Sequence, residues 1–504
     1  MIKYLLVFLF VSLLLYSGLV NMRKSHTVSD FFLGGRTVGP WLSAFAFGTT
    51  YFSAVIFIGY AGQVGWNFGL SGLWIVLGNS LFGSLLAWWI LAKRTRSITT
   101  RLNTMTMPQF LSVRYQSPGM KIFAGLVIFI FMVPYSASVY MGLSYLFEQV
   151  FGVPYIAAAI FMATLTATYL ILGGYRAVAL TDFVQGCIML FGVGLLLWYV
   201  LRAPETGGLM PAVQKLADID PGLTQAVGAP GLLPLASLVI LTSLGAWALP
   251  QMVQKFYAIK SESAIKPAAV VSTVFALIIT FGAYFTGSMT RLFFEELPVD
   301  AATGAQTVDL LMPQLMNNIL PEFVLAIILI LILSASMSTL ASLVLVSSSA
   351  VALDLLPTVQ PRMSEKNKVI TLRVLCAVFV GISLVLALAR PTIILSLMAL
   401  SWGTVAGAFL APFLYGLFWR GTTAAGAWAG ALSGLTISLV FSYLYPSAIP
   451  TVGSAAMLVP LVVVPVVSML TKPLPQEHLA HVYGDPGLPS DGVPANRNKE
   501  VEAI

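Results

Sequence analysis

The chain has 504 residues, of which 58% are apolar and 9% charged, with a net charge of +7. Soluble domains carry about 25% charged and about 45–50% apolar residues, so a water-facing globule is excluded and a lipid bilayer must solvate most of the chain. The basic residues sit between apolar runs, where they act as topology signals. No basic-aromatic surface accompanies them, which argues against nucleic acid as a partner. Cys187 and Cys376 both lie inside apolar runs and are too few for a disulfide framework. His26, His478 and His481 all lie outside the apolar runs. An intramembrane metalloprotease or haem site therefore lacks its usual ligands. Without a paired-carboxylate site or a cofactor motif, no enzyme is expected.

About 20 mainly apolar residues span a bilayer as a helix. In chain order, that rule predicts thirteen segments, near 2–21, 41–66, 68–92, 122–147, 153–173, 180–201, 231–254, 269–290, 322–353, 369–389, 391–418, 423–445 and 450–471. The first has a single lysine and no small-residue cleavage site, and Arg23 and Lys24 follow it at once, so it reads as a retained helix and not a signal peptide. Segment 41–66 contains Gly48-Thr49-Thr50, and segment 231–254 contains Gly245 and Pro250. Glycine and proline often make simple packing kinks in membrane helices. Two interruptions at matching places instead predict a pair of broken helices in two inverted repeats of five helices each, over 41–201 and 231–418. Around them come a first helix and cytoplasmic loop (1–40), an external loop (202–230), two accessory helices (419–471) and a polar tail (472–504) rich in Pro and Gly, predicted to be disordered. With thirteen crossings, 21 of the 26 basic residues fall on one face; only Lys3, Arg202, Lys215, Arg291 and Arg390 fall on the other. The basic face is expected to be cytoplasmic, which puts the N-terminus outside and the C-terminus inside.

Polar residues within the apolar segments are few, and two groups stand out. Ser334-Ala335-Ser336-Met337-Ser338-Thr339 lies inside a long apolar helix. Ala335 is three residues before Ser338 and four before Thr339, so one carbonyl and two hydroxyls share a face. Neutral oxygens can suffice for a monovalent cation. Small hydroxyl residues also allow close helix packing, and spacing alone leaves both readings open. Asp182 opens segment 180–201, six residues after Arg176. That position suits an N-cap or an interfacial pair as well as part of an ion path.

Three stretches carry a resemblance to a known family. They are Asp30-Phe31-Phe32-Leu33-Gly34-Gly35-Arg36; Gly173-Gly174-Tyr175-Arg176-Ala177 with Thr181-Asp182-Phe183-Val184-Gln185; and Met337-Ser338-Thr339 with the serine-rich helix running to Asp354-Leu355. In this order they resemble the sodium/solute symporter family, which includes bacterial sodium/proline and sodium/pantothenate symporters. The resemblance runs from about Phe31 to the end of the last helix. It implies an all-α polytopic protein in the bacterial inner membrane that couples sodium entry to uptake of a small organic solute by alternating access. It implies sodium as the co-transported ion, held by the carbonyls of Thr49, Phe52 and Ala335 and the hydroxyls of Ser338 and Thr339. It also implies a coupling role for Asp182. Some members place a second sodium between the mid-chain aspartate and two consecutive serines. Here the pair is Ala341-Ser342, which argues against that second ion. Tyr51 stands where the sodium/proline symporter has an essential aspartate, which weakens a proline-specific reading.

The central helices are poor in Asn, Gln, Glu and Lys, so a sugar is a poor substrate candidate. A small carboxylate or zwitterion (pantothenate, a monocarboxylate or an amino acid) is expected, held by half-helix ends at the breaks. Tyr135 matches a substrate-site tyrosine of the proline-type members. Trp247 and Gln251 flank Pro250, and Tyr51, Ser53, Trp74 and Trp402 are further lining candidates, although for each aromatic residue lipid-facing or packing bulk is an equal alternative. Besides substrate and bilayer, no obligate protein partner is evident. The rival readings are a proton-coupled carrier of the same fold and a transporter-like membrane sensor. The sensor would need a large soluble domain, and only a short tail follows Lys472.

Overall fold

The computed structural model describes residues 2–22, 27–300, 303–360 and 363–484. The described residues are almost entirely helical, as the apolar runs require, because a helix satisfies its own backbone hydrogen bonds in lipid. Ten helices among them are long and apolar enough to cross a membrane. The other three expected segments are the helix Ile2–Met22, the broken helix that begins as Pro40–Tyr51, and a shorter apolar helix, Tyr155–Thr168. The expected segments 153–173 and 180–201 form one helical run, Tyr155–Arg202.

Both breaks exist. Pro40–Tyr51 stops at Phe52, whose backbone is extended, and helix resumes at Ala54. Leu232–Gly245 gives way to a turn, and Pro250–Ala258 starts afresh with proline in its first turn. Proline lacks the N–H that a first turn leaves unpaired, and it forces the residue before it out of the helical region; Leu249 accordingly has ψ 124°. The two broken helices are tied at one end. The Val38 N–H donates to the Ala258 carbonyl at 3.3 Å, and the Lys260 N–H donates to the Val38 carbonyl at 2.9 Å.

The serine-rich helix Glu322–Ser349 occupies the centre, with every side chain from Leu331 to Ser349 buried. Two small residues set another close contact. A Cβ on Gly65 would overlap the Gly287 backbone, so the runs Val55–Arg101 and Ile265–Ser288 meet backbone to backbone.

One tail expectation is corrected. Gln476–Tyr483 is a helix, docked where the Arg114 guanidinium donates to the Gly416 carbonyl at 3.0 Å and to the Tyr483 hydroxyl at 3.1 Å. Leu479 and Val482 are buried beneath it, so this stretch has the apolar face that a disordered segment lacks. Arg23, Lys24, Arg362, Arg497 and Lys499 of the charge asymmetry lie outside the described residues. Lys255, counted among the cytoplasmic charges, is fully buried in the bundle.

Candidate functional site

The last four carbonyls of a helix have no intrahelical partner. At the first break those of Thr49 and Thr50 face the serine-rich helix. The Thr339 hydroxyl lies 3.2 Å from the Thr49 carbonyl, 3.1 Å from that of Thr50 and 3.1 Å from that of Ala335. The Ser338 hydroxyl donates to the Thr49 hydroxyl at 2.8 Å, which donates in turn to the Phe45 carbonyl at 2.8 Å. One hydroxyl hydrogen cannot satisfy three carbonyls. Acceptors therefore outnumber donors in a buried pocket, and a small cation relieves that imbalance. Four of the five expected sodium residues, Thr49, Ala335, Ser338 and Thr339, come together in this way. The fifth, Phe52, caps the half-helix, donating its N–H to the Gly48 carbonyl at 3.2 Å and stacking its ring on Tyr51. Thr50, named in the sequence only within the Gly48-Thr49-Thr50 interruption and not as an ion ligand, supplies the third carbonyl.

Next to this cluster, the Thr50 and Ser342 hydroxyls lie 3.0 Å apart, and the Lys255 ammonium donates to Ser342 at 3.0 Å. Asp182 is fully buried on Tyr155–Arg202, within the electrostatic reach of Lys255 and beside Ser338. An N-cap or surface pair is thus not its place in this fold.

A narrow cavity of about 20 Å³ lies at the first break. Tyr51, Ser53, Tyr135 and Trp402 line it as expected, together with Tyr60, Asn79, Tyr284 and Met398, which the sequence did not single out. No charged side chain lines it. Tyr51 stacks between Phe52 and Trp402, and its hydroxyl donates to the Thr242 carbonyl at 2.6 Å across to the second broken helix. Two lining donors, the Tyr60 hydroxyl and the Trp402 indole N–H, are buried without a partner. The backbone donors at the break are already used: the Ala54 N–H reaches the Ser336 hydroxyl at 3.0 Å and the Val55 N–H reaches that of Ser53 at 3.2 Å. These side-chain donors, more than the half-helix end, are thus free for a ligand.

Three lining candidates lie elsewhere. Trp74 is half exposed and its indole donates to the Ala226 carbonyl at 2.9 Å, in the expected external loop. Trp247 donates to the Phe82 carbonyl at 2.7 Å. Gln251 is buried in Pro250–Ala258, outside the cavity wall.

The family model for the sodium:solute symporter family matches residues 31–434. The chain belongs to the sodium:solute symporter family. It is a multi-pass membrane symporter, not an enzyme, and sodium is its co-transported ion. It is 29% identical over 433 residues to the high-affinity proline transporter PutP of Bacillus subtilis strain 168, covering 85% of this chain and 90% of that protein. It is 30% identical over 432 residues to the sodium/pantothenate symporter of Escherichia coli strain K12, covering 84% and 87%. Among solved structures, a Na⁺-coupled sialic acid symporter in a substrate-bound outward-open state superposes with a TM-score of 0.77 at 19% identity, covering 94% of this chain and 98% of that one. That likeness establishes a common fold.

Proposed function

We propose that this symporter takes up a small carboxylate or zwitterion, bound in the aromatic cavity at the first break, with one sodium held by Thr49, Thr50, Ala335, Ser338 and Thr339; the Phe52 carbonyl is a further candidate ligand. The observation that carries this reading is the cavity wall. It is uncharged, rich in aromatic rings, and offers two unpartnered donors, Tyr60 and Trp402, beside an acceptor-rich pocket. A carboxylate accepts from such donors, and aromatic faces suit an apolar body or an ammonium group. A sugar would need many more paired polar groups. The relatives named for proline and for pantothenate transport solutes of this class.

Sodium would stabilise the solute-ready arrangement by joining the first broken helix to the serine-rich helix. Couplings of this kind amount to about 1–3 kcal/mol. The proposed orientation has the N-terminus outside and the C-terminus cytoplasmic, and the contacts between loops support the grouping of loops on which it rests. Arg36 reaches the Thr104 carbonyl, Arg96 the Lys260 carbonyl and Arg101 the Val482 carbonyl, all on the expected cytoplasmic face. Arg390 pairs with Asp300 at 2.8 Å on the expected external face.

The test is uptake into proteoliposomes across a panel of labelled monocarboxylates, amino acids, pantothenate and sugars. Each solute is driven in turn by a sodium gradient and by a pH gradient. One small carboxylate or zwitterion should accumulate with sodium alone. Accumulation driven by the pH gradient without sodium would favour the proton-coupled reading, and accumulation confined to sugars would refute the substrate class.

A further inference from the structure

A second cleft, of about 790 Å³, opens on the face proposed as cytoplasmic and shares no lining residue with the solute cavity. Lys93, Arg94, Arg101 and Arg420 line it, and no acidic side chain does. Its walls include the rings of Phe418 and Tyr483, the latter from the docked helix Gln476–Tyr483. Neutral groups hold two of the arginines in place. Arg94 donates to the Leu417 carbonyl at 3.3 Å and stands 4.7 Å from the centre of the Phe418 ring. Arg101 donates to the Val482 carbonyl at 2.9 Å. Arg420 stands 5.2 Å from the centre of the Tyr483 ring. No ion pair joins Arg94 or Arg101 to an acid among the described residues. Lys93 meets Glu262 at 3.2 Å, but both side chains are largely exposed and such a pair is weak. The contacts therefore fix the arginines without cancelling their charge, and an anion in the cleft would offset their mutual repulsion.

The place of the cleft says what kind of anion it meets. Lys93 and Arg94 directly follow the apolar stretch Gly78–Ala92, and Arg420 comes two residues after the membrane helix Ile394–Phe418 ends. The cleft thus lies where two spans leave the hydrocarbon, at the depth of lipid headgroups. Trp89, one turn before Lys93 on the apolar side, is 76% exposed, and tryptophan favours that boundary. Guanidinium groups match the oxygens of a phosphate, and basic pockets between membrane helices suit anionic headgroups.

We propose that this cleft binds the phosphate of an anionic phospholipid, with Lys93, Arg94, Arg101 and Arg420 around the headgroup and the acyl chains running down past Trp89. A merely solvated basic surface would show no preference for this cleft over other lysines of the same face.

The test titrates the purified full-length carrier, in a neutral detergent, with phosphatidylglycerol or phosphatidylcholine, and counts retained lipid by native mass spectrometry. Phosphatidylglycerol should bind the more tightly. Each basic side chain near a headgroup strengthens binding several-fold, so Lys93→Gln with Arg420→Gln should weaken it about tenfold or more, and Lys93→Gln alone about fivefold. The matched control, Lys366→Gln with Lys368→Gln, removes the same charge from the helix Glu365–Ala389, outside the cleft, and should leave the affinity unchanged. Glycerol phosphate, which has the phosphate without the chains, should not displace the lipid at equal concentration. Equal binding of the two lipids, or equal weakening in the control, overturns the site. Displacement by glycerol phosphate overturns the lipid and makes the cleft a soluble-anion site. If the double variant does not assemble, Lys93→Gln decides, since its side chain is 69% exposed and bears little on folding: unchanged affinity refutes the proposal.

Discussion

Replacing Ser338 or Thr339 with Ala takes one oxygen from the pocket at the first break and adds no bulk. A hydrogen bond to a charged group contributes about 1.5–3 kcal/mol, and we take an ion–oxygen contact as similar. The sodium concentration for half-maximal uptake should therefore rise about ten- to a hundredfold in either variant. Uptake measured against sodium, normalised to folded protein, checks this. An unshifted curve in both variants would remove these hydroxyls from the site. That Ala335, Ser338 and Thr339 share one helix face was legible in the sequence, because a spacing of three and four is a property of one helix. The partners across the cavity were less so. Which carbonyls of the first broken helix are free depends on where the helix stops, and the stretch Thr49 to Ser53 contains no proline to mark the place. Lys255 was misread for a related reason: it follows the last residue of its apolar segment, so hydropathy placed it at the membrane surface. Its bond to Ser342 joins residues 87 apart in sequence, which no periodicity encodes.

The second break, by contrast, could be read directly, since Pro250 both starts one half-helix and ends the approach to it. Between elements, Asp309 sits in a short helical turn outside the membrane spans and accepts the Ile394 N–H at 3.1 Å, at the start of the helix Ile394–Phe418. A helix N-terminus favours its charged form, but burial pushes its carboxyl up to about 7. The folded protein thus holds this proton more tightly than the unfolded chain, where an aspartate titrates near about 4. Its contribution to stability is complete below about pH 4 and is lost as pH rises through about 7. Thermal unfolding in detergent should show wild type losing stability between pH 5 and pH 8. Asp309→Asn, which cannot titrate, should lose distinctly less over that window. Parallel pH profiles for the two would show that Asp309 does not report this burial.

For the molecule as a whole, the composition alone excluded every soluble architecture, and the two-break pattern anticipated the fold shared with the sialic acid symporter. Hydropathy could not anticipate that Gln476–Tyr483 would dock, because a two-turn amphipathic helix held by Arg114 is too short to register against the polar tail around it. The proposed orientation is testable by fusion. A reporter active only in the cytoplasm, joined after residue 504 of a transport-competent carrier, should be active. Silence from such a fusion would invert or renumber the crossings.

The solute cavity has no charged side chain in its wall, and this has an electrical consequence. If one sodium is carried per solute, as proposed, the charge that crosses per inward step is that of sodium plus solute. A carboxylate would make the step neutral, and membrane voltage could neither speed nor oppose it. A zwitterion would leave one net positive charge in transit, and each 100 mV would then add about 2.3 kcal/mol of driving force. The same uncharged wall would thus give a silent carrier or a current-generating one, depending only on what it holds.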